Sequence, residues 1–283
     1  MKKIFCAVDE RFVNPLFEVF DGGDFILSSW RDIEEDKAEM RIFFEEGDPR
    51  PALKAALEIV GVEAEIRECE VPDEDWKFAY RRHFKIENIG RRLVTVPAWE
   101  KVPEGDRLPI VLDPSMAFGT GKHETTRACL EFIDEAAAGK GEDASNLSFL
   151  DMGCGSGILS IAAKKLGFGD VEGFDVDQEA VDASVENAAK NGVEVRYKKF
   201  ALGRNGACEQ PVKRYDFVVA NILGPLLIRF ADEIVRYAGD RLIVSGILTE
   251  LYPEVLAAYT ARGFRELGRK TIGEWTTGLL GRI

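Results

Sequence analysis

The sequence has few of the residues that hold metals and disulfides. Its 283 residues contain two histidines and no C-x-x-C pair. The five cysteines are scattered along the chain at Cys6, Cys69, Cys129, Cys154 and Cys208. Zinc sites and disulfide frameworks both need closely spaced ligand or cysteine sets. We therefore expect reduced, buried thiols and no metal site.

Long apolar runs are also missing. No stretch approaches the roughly 18 apolar residues that a membrane-spanning helix requires. The first residues, M-K-K-I-F-C-A-V-D-E-R, place only five apolar residues between Lys3 and Asp9. That is too short for the core of a signal peptide. We expect a cytoplasmic protein, monomeric and without a membrane partner.

Basic residues are also fewer than acidic ones. There are 37 Lys and Arg residues against 50 Asp and Glu, a net charge of -13. Direct binding to nucleic acid is disfavoured, because it draws on clustered basic residues. An acidic surface instead suits a basic protein partner, whose approach it accelerates. The open alternative is that the charge serves solubility alone.

The stretch from Leu147 to Asp177 carries the strongest positive signal. An apolar run is followed by glycines at alternate positions, Gly153, Gly155 and Gly157. A helical pattern and a second apolar run then lead to Asp175, 22 residues after Gly153. This order of strand, glycine loop, helix and strand is typical of nucleotide-binding α/β units, in which the acidic residue accepts the ribose hydroxyls. A tight turn without a ligand is the alternative.

Two further stretches carry polar groups toward the same region. The first, D-P-S-M-A-F-G-T-G-K-H-E-T-T at 113–126, is a glycine-rich loop leading into a helix. Such a loop suits a lid over a carboxylate-bearing ligand, although it could be a capped helix alone. The second is Asn221, which ends a predicted strand and faces the crevice at the carboxyl edge of the sheet, unless it only caps the next helix. We predict that helix over Leu226 to Tyr237.

The order of the predicted elements defines two domains and a connecting segment. Residues 1–71 form a βαββαβ unit of the ferredoxin-like kind. Residues 72–100 form a linker and interdomain segment. In residues 101–283, strands and helices alternate, which predicts a mostly parallel sheet covered on both faces. A closing hairpin from Phe264 to Leu280 supplies an antiparallel edge.

With these stretches in place, the chain resembles the ribosomal protein L11 methyltransferase (PrmA) family. The resemblance rests on the 113–126 loop, D-M-G-C-G-S-G at 151–157, G-F-D-V-D at 173–177 and A-N-I-L at 220–223. It implies a class I, Rossmann-like methyltransferase fold with a seven-stranded sheet and S-adenosylmethionine (SAM) as cofactor. It also implies that the N-terminal domain grips the protein substrate. The implied cofactor-binding residues are Phe118, Gly119, Thr120, Thr126, Gly153, Gly155, Asp175 and Asn221, with Asn221 also catalytic.

The expected function is SAM-dependent methylation of lysine and α-amino groups on the ribosomal protein of the large subunit. One alternative is a methyltransferase of the same fold that acts on another protein or a small amine. The other is a nicotinamide-dependent oxidoreductase. The dinucleotide fingerprint wants a glycine or alanine five residues after the first glycine, where this chain has Ile158. That residue disfavours the oxidoreductase.

Overall fold

The protein divides into two compact units in the computed structural model, residues 1–83 and 84–283. None of the helices in the described residues has both the length and the apolar character needed to cross a bilayer. The residues that the structure describes are 2–20, 25, 27–31, 37–44, 46–70, 85–112, 124–139, 141–203 and 213–283.

The first unit is an antiparallel sheet with two helices. Its strands lie in the order β2-β3-β1-β4, which confirms the ferredoxin-like prediction. Alternate residues of the first strand, Ile4, Cys6 and Val8, are buried, as the period of a half-buried strand requires. The elements in chain order are β1 (Lys2–Asp9), α1 (Val13–Val19), β2 (Leu27–Arg31), β3 (Lys37–Phe44), α2 (Arg50–Val60) and β4 (Arg67–Glu70).

The second unit contains a small sheet and a large one. The small sheet has the order β5-β6-β7, formed by β5 (Glu87–Ile89), β6 (Leu93–Pro97) and β7 (Leu108–Leu112). The first two of these strands lie within the 72–100 stretch. The elements that follow are α3 (Glu124–Ala138), β8 (Ser148–Met152), α4 (Ile158–Lys165), β9 (Asp170–Asp175), α5 (Gln178–Lys190), β10 (Arg196–Lys199), β11 (Tyr215–Asn221), α6 (Gly224–Arg229), α7 (Ala231–Tyr237), β12 (Ala238–Leu248), α8 (Tyr252–Thr260), β13 (Phe264–Ile272) and β14 (Trp275–Arg282).

The large sheet has seven strands in the order β10-β9-β8-β11-β12-β14-β13. The pairs from β10 to β12 are parallel, and β14 is antiparallel to both of its neighbours. This confirms the predicted mostly parallel sheet with a hairpin at its edge. Separate hydrophobic clusters cover its two faces, as a parallel sheet requires. The carboxyl ends of β8, β9 and β11 therefore meet at one edge.

Within the second unit, a buried carboxylate on α3 holds the small sheet. Asp134 on α3 is 2% exposed. Its Oδ2 accepts a hydrogen bond from the backbone N–H of Arg91 at 2.7 Å, and its Oδ1 accepts from Arg92 Nε at 2.6 Å. Because these bonds fix the turn between β5 and β6, they hold the small sheet against α3.

The single helix predicted from Leu226 to Tyr237 is wrong in detail, since two helices, α6 and α7, meet at Phe230. The backbone of Phe230 leaves the helical range at φ -102° and ψ 14°. Its ring packs against Gly203, where an added Cβ would lie 2.7 Å from Cε1. The pattern of apolar residues runs on unbroken through this position, so periodicity alone does not reveal the break.

Candidate functional site

A cavity of about 420 Å³ opens at the carboxyl edge of the sheet, between the ends of β8, β9 and β11. This size falls within the range of small-molecule sites. Four residues predicted for the site, Gly153, Gly155, Asp175 and Asn221, all line it. The rest of its described lining is Met152, Phe174, Val176, Phe200, Ala201, Leu202, Ile222, Leu226 and Phe230.

The glycine loop needs glycine for both conformation and space. Gly153, Gly155 and Gly157 have φ angles of +73°, +53° and +78°, which side chains with a Cβ rarely adopt. An added Cβ at Gly153 would lie 2.7 Å from Cγ2 of Ile222. The N–H groups of Gly153 and Cys154 both donate to the Phe174 carbonyl, at 2.9 and 3.0 Å. These bonds hold the loop against the end of β9.

Asp175 has a fixed carboxylate at the end of β9. Its Oδ2 accepts from the N–H of Gly155 at 2.9 Å, and its Oδ1 accepts from the N–H of Asp177 at 3.1 Å. An ionised carboxylate has about four acceptor positions. The two that remain can accept two hydroxyl groups, as a ribose offers.

Asn221 carries an amide group with a buried oxygen at the end of β11. Its Oδ1 is buried and has no hydrogen-bond partner among the described residues. Its Nδ2 donates to Oγ1 of Thr126 at 3.5 Å. A buried unsatisfied acceptor costs about 1–3 kcal/mol, so such groups are rare unless a ligand completes them. The site therefore offers a neutral acceptor to an incoming N–H.

The remaining predicted residues are placed differently. Thr126 is completely buried on α3 and is not part of the described cavity lining, so in this structure it contacts Asn221 rather than the cavity. Phe118, Gly119 and Thr120 lie outside the described residues, as do both histidines, His83 and His123. Residues 113–123 of the lid predicted at 113–126 also lie outside the described residues, and the lid stays a prediction.

An apolar wall is the part of the cavity that sequence reasoning missed. Val176 is 60% exposed although it directly follows Asp175. Phe200 packs edge-on against Phe174, with ring centroids 5.1 Å apart, and its N–H donates to the Asp175 carbonyl at 2.8 Å. A valine directly after the acidic residue that ends a predicted strand was the available signal. The wall suits a flat, largely apolar ring such as a nucleobase.

Asp151 is a buried carboxylate next to the site that sequence reasoning did not single out; it is not part of the described cavity lining. It ends the apolar run of β8 and is 1% exposed. Its Oδ2 accepts from the N–H of Ser160 at 3.1 Å, whereas its Oδ1 is buried without a partner among the described residues. Burial raises the pKa of this carboxyl to about 7. Its position at the head of D-M-G-C-G-S-G was the signal.

These residues fit SAM. The carboxylate of Asp175 and the apolar wall suit its nucleoside, and the positive-φ glycines let its chain lie against the backbone. Ile158 is buried where a dinucleotide fingerprint has its third glycine. Together the seven-stranded sheet and this site define a class I SAM-dependent methyltransferase.

The comparisons identify the family within that class. The family model described as "Ribosomal protein L11 methyltransferase (PrmA)" matches residues 25–281, and the chain belongs to this family. This membership decides against the oxidoreductase alternative.

Relatives and a solved structure agree. The ribosomal protein L11 methyltransferase of Cupriavidus pinatubonensis is 42% identical over 225 residues, 77% of this chain and 70% of that protein. The protein of the same name from Pseudomonas putida is 38% identical, over 78% of this chain and 74% of that one. The crystal structure of a ribosomal protein L11 methylase from Lactobacillus delbrueckii subsp. bulgaricus has a TM-score of 0.61 and 31% identity. The match covers 70% of this chain and 99% of the chain in that crystal structure.

Proposed function

We propose that this enzyme transfers methyl groups to lysine side chains and the α-amino group of ribosomal protein L11. The observation that carries the proposal is the buried, unpartnered Oδ1 of Asn221 in the same cavity as Gly153 and Asp175. A primary amine has N–H groups that can donate a hydrogen bond to this oxygen. The substrate named for the relatives supports the choice of protein.

The site must supply a neutral amine, because an ammonium has no lone pair. The ordinary pKa of a lysine side chain lies about 3.4 units above pH 7, so deprotonating it at this pH costs about 4.6 kcal/mol. Bound SAM supplies a methyl group on a sulfonium centre, which makes it transferable by in-line displacement. Burial of the amine in the cavity lowers the amine pKa, because the charged form loses its hydration.

Asn221 is proposed to orient the neutral amine. Its Oδ1 accepts one N–H, which aims the lone pair away from that bond and toward the methyl group. An amide does this without a negative charge that would hold the proton on the nitrogen. Thr126 accepts from Nδ2 and keeps the amide plane in place. We expect positioning to supply most of the acceleration, with no dedicated general base.

The N-terminal unit is proposed to recognise the protein substrate. It has its own hydrophobic core. The net charge of -13 favours the approach of a basic protein such as a ribosomal component. Ribosomal proteins are made in the cytoplasm, and we place the reaction there.

The test is methylation of purified ribosomal protein L11 with labelled SAM, followed by mass spectrometry of its peptides. We expect label on lysine side chains and on the N-terminal amine. The matched control is Asn221→Ala, which should bind S-adenosylhomocysteine and label the protein about 10²-fold more slowly. Methylation of other proteins in a ribosomal extract, with none on L11, would contradict the substrate assignment and favour the alternative of another protein.

A further inference from the structure

Buried side chains donate hydrogen bonds to the carbonyl groups of the glycine loop. The carbonyl of Gly155 accepts from Oγ of Ser184 at 2.9 Å, and that of Ser156 accepts from Nδ2 of Asn187 at 2.9 Å. The next carbonyl, of Gly157, accepts from Oγ of Ser160 at 3.0 Å. Three consecutive carbonyls therefore point into the protein rather than toward the cavity.

The donors are as buried as the hydrophobic core. Ser184 and Ser160 are 0% exposed and Asn187 is 2% exposed. Ser184 also lies 3.3 Å from the Cys154 sulfur, and Tyr197 lies 2.9 Å from the Ser160 hydroxyl. A buried polar side chain is costly unless it is bonded. Each donor here is bonded, so the network is complete.

Holding a carbonyl also orients the peptide that contains it. The peptide unit is planar and trans, so its N–H points opposite to its C=O. When Ser184 holds the Gly155 carbonyl, the N–H of the following residue is turned to the other side of the loop. The N–H that follows the Ser156 carbonyl, that of Gly157, donates to the Cys154 carbonyl at 2.8 Å and closes the turn of the loop. Ser184 and Asn187 thus fix the peptide orientations of the loop.

Both residues belong to one face of α5. Ser184, Asn187 and Asn191 stand at positions i, i+3 and i+7, which share a helix face. Asn191 binds β7 twice, accepting from the N–H of Val111 at 2.9 Å and donating to its carbonyl at 2.6 Å. The helix begins three residues after Asp175, and its N-cap residue Asp177 accepts from the Glu179 N–H at 3.1 Å. One rigid element therefore connects Asp175, the glycine loop and β7.

We infer that Ser184 and Asn187 are positioning residues that hold the glycine loop in its cofactor-binding shape before the cofactor arrives. Neither lines the described cavity, so they act through the loop backbone. Without them the loop samples other peptide orientations, and binding must select the competent one. This inference rests on the cofactor of the family and not on the methyl acceptor.

The test uses Ser184→Ala and Asn187→Ala in the full chain, with Ser148→Ala as the matched control. Ser148 is bonded to Asp216, 2.6 Å away, at the opposite end of β8. Affinity for S-adenosylhomocysteine is measured by calorimetry, which needs no methyl acceptor. We expect each loop variant to bind about tenfold more weakly, as one lost buried hydrogen bond predicts. The control should bind like the wild type.

Two further readouts separate positioning from loss of stability. Hydrogen exchange of the peptide containing residues 153–160, measured without ligand, should be faster in both loop variants and unchanged in the control. In kinetics, KM for SAM should rise while kcat at saturating SAM stays within about twofold. Ser184→Ala removes a single oxygen, so it tests the inference even if Asn187→Ala fails to fold. Unaltered affinity and unaltered exchange in a folded Ser184→Ala protein would overturn it.

Discussion

β8 and β11 are neighbouring strands of one sheet, and the polar side chains near their carboxyl ends differ in chemistry. The two strands pair in parallel, with Val219 opposite Asp151 and Ala220 opposite Met152. Each strand end carries a side chain whose Oδ1 is buried without a partner among the described residues, Asp151 on β8 and Asn221 on β11. One side chain titrates and the other does not.

The difference shows what each position can do. The carboxyl of Asp151 has a pKa raised by burial to about 7, so its charge changes near neutral pH. The amide of Asn221 is neutral at every pH. An acceptor that must bind an uncharged amine cannot be an anion, because an anion would stabilise the ammonium form. The amide lies at the strand end where we place the amine.

The largest expected effect comes from removing the amide. In Asn221→Ala the amine loses its acceptor, so turnover should fall by about 10²-fold or more. Affinity for S-adenosylhomocysteine should stay within about twofold of the wild type. Steady-state methyl-transfer kinetics and calorimetry measure the two quantities. Wild-type turnover in this variant would remove Asn221 from the mechanism.

A carboxylate in place of the amide at the end of β11 makes this strand end resemble that of β8 and tests the difference between them. Asn221→Asp keeps the size of the side chain and introduces a negative charge beside the amine. Since an adjacent opposite charge raises an amine pKa by about 1–3 units, the rise of kcat with pH, which reports the bound amine, should shift to higher pH by a similar amount. A profile identical to the wild type would show that the amine does not contact this position.

A smaller effect is expected at β9. Asp175→Ala removes the carboxylate that is proposed to accept the ribose hydroxyls, and hydrogen bonds to charged groups contribute about 1.5–3 kcal/mol. Affinity for S-adenosylhomocysteine should therefore fall about 10- to 100-fold, with turnover at saturating SAM much less affected. Calorimetry on the purified variant makes the measurement. Unchanged affinity would contradict the ribose assignment.

The smallest effect concerns stability at the end of β8. The pKa of Asp151 is raised in the folded state, so its contribution to stability is complete below pH 4 and is lost as pH rises to about 7. Asp151→Asn resembles the protonated acid and should not show this loss. Its Tm should exceed that of the wild type by a few degrees at pH 8, and the difference should shrink toward pH 4. Thermal unfolding across this range gives the answer, and a constant difference would contradict the raised pKa.

The order of elements was predictable because it depends on local patterns. The alternation of Ile4, Cys6 and Val8 and the glycines at 153, 155 and 157 act over a few residues, whatever surrounds them. The break at Phe230 was not predictable in this way. The ring at the break packs beside Gly203, 27 residues earlier in the chain, a contact that no local pattern contains.

The sequence by itself determined the class of fold, the glycine loop, Asp175 and Asn221, because each is marked by its own strand end or turn. Only the tertiary structure decided which distant residues form hydrogen bonds with these parts of the site. Thr126 lies 95 residues from Asn221, and Asn187 lies 31 residues from Ser156, yet each pair is hydrogen-bonded. Such partners are chosen by the order of strands in the sheet and the face that a helix turns toward it. Neither is a property of a local stretch of sequence.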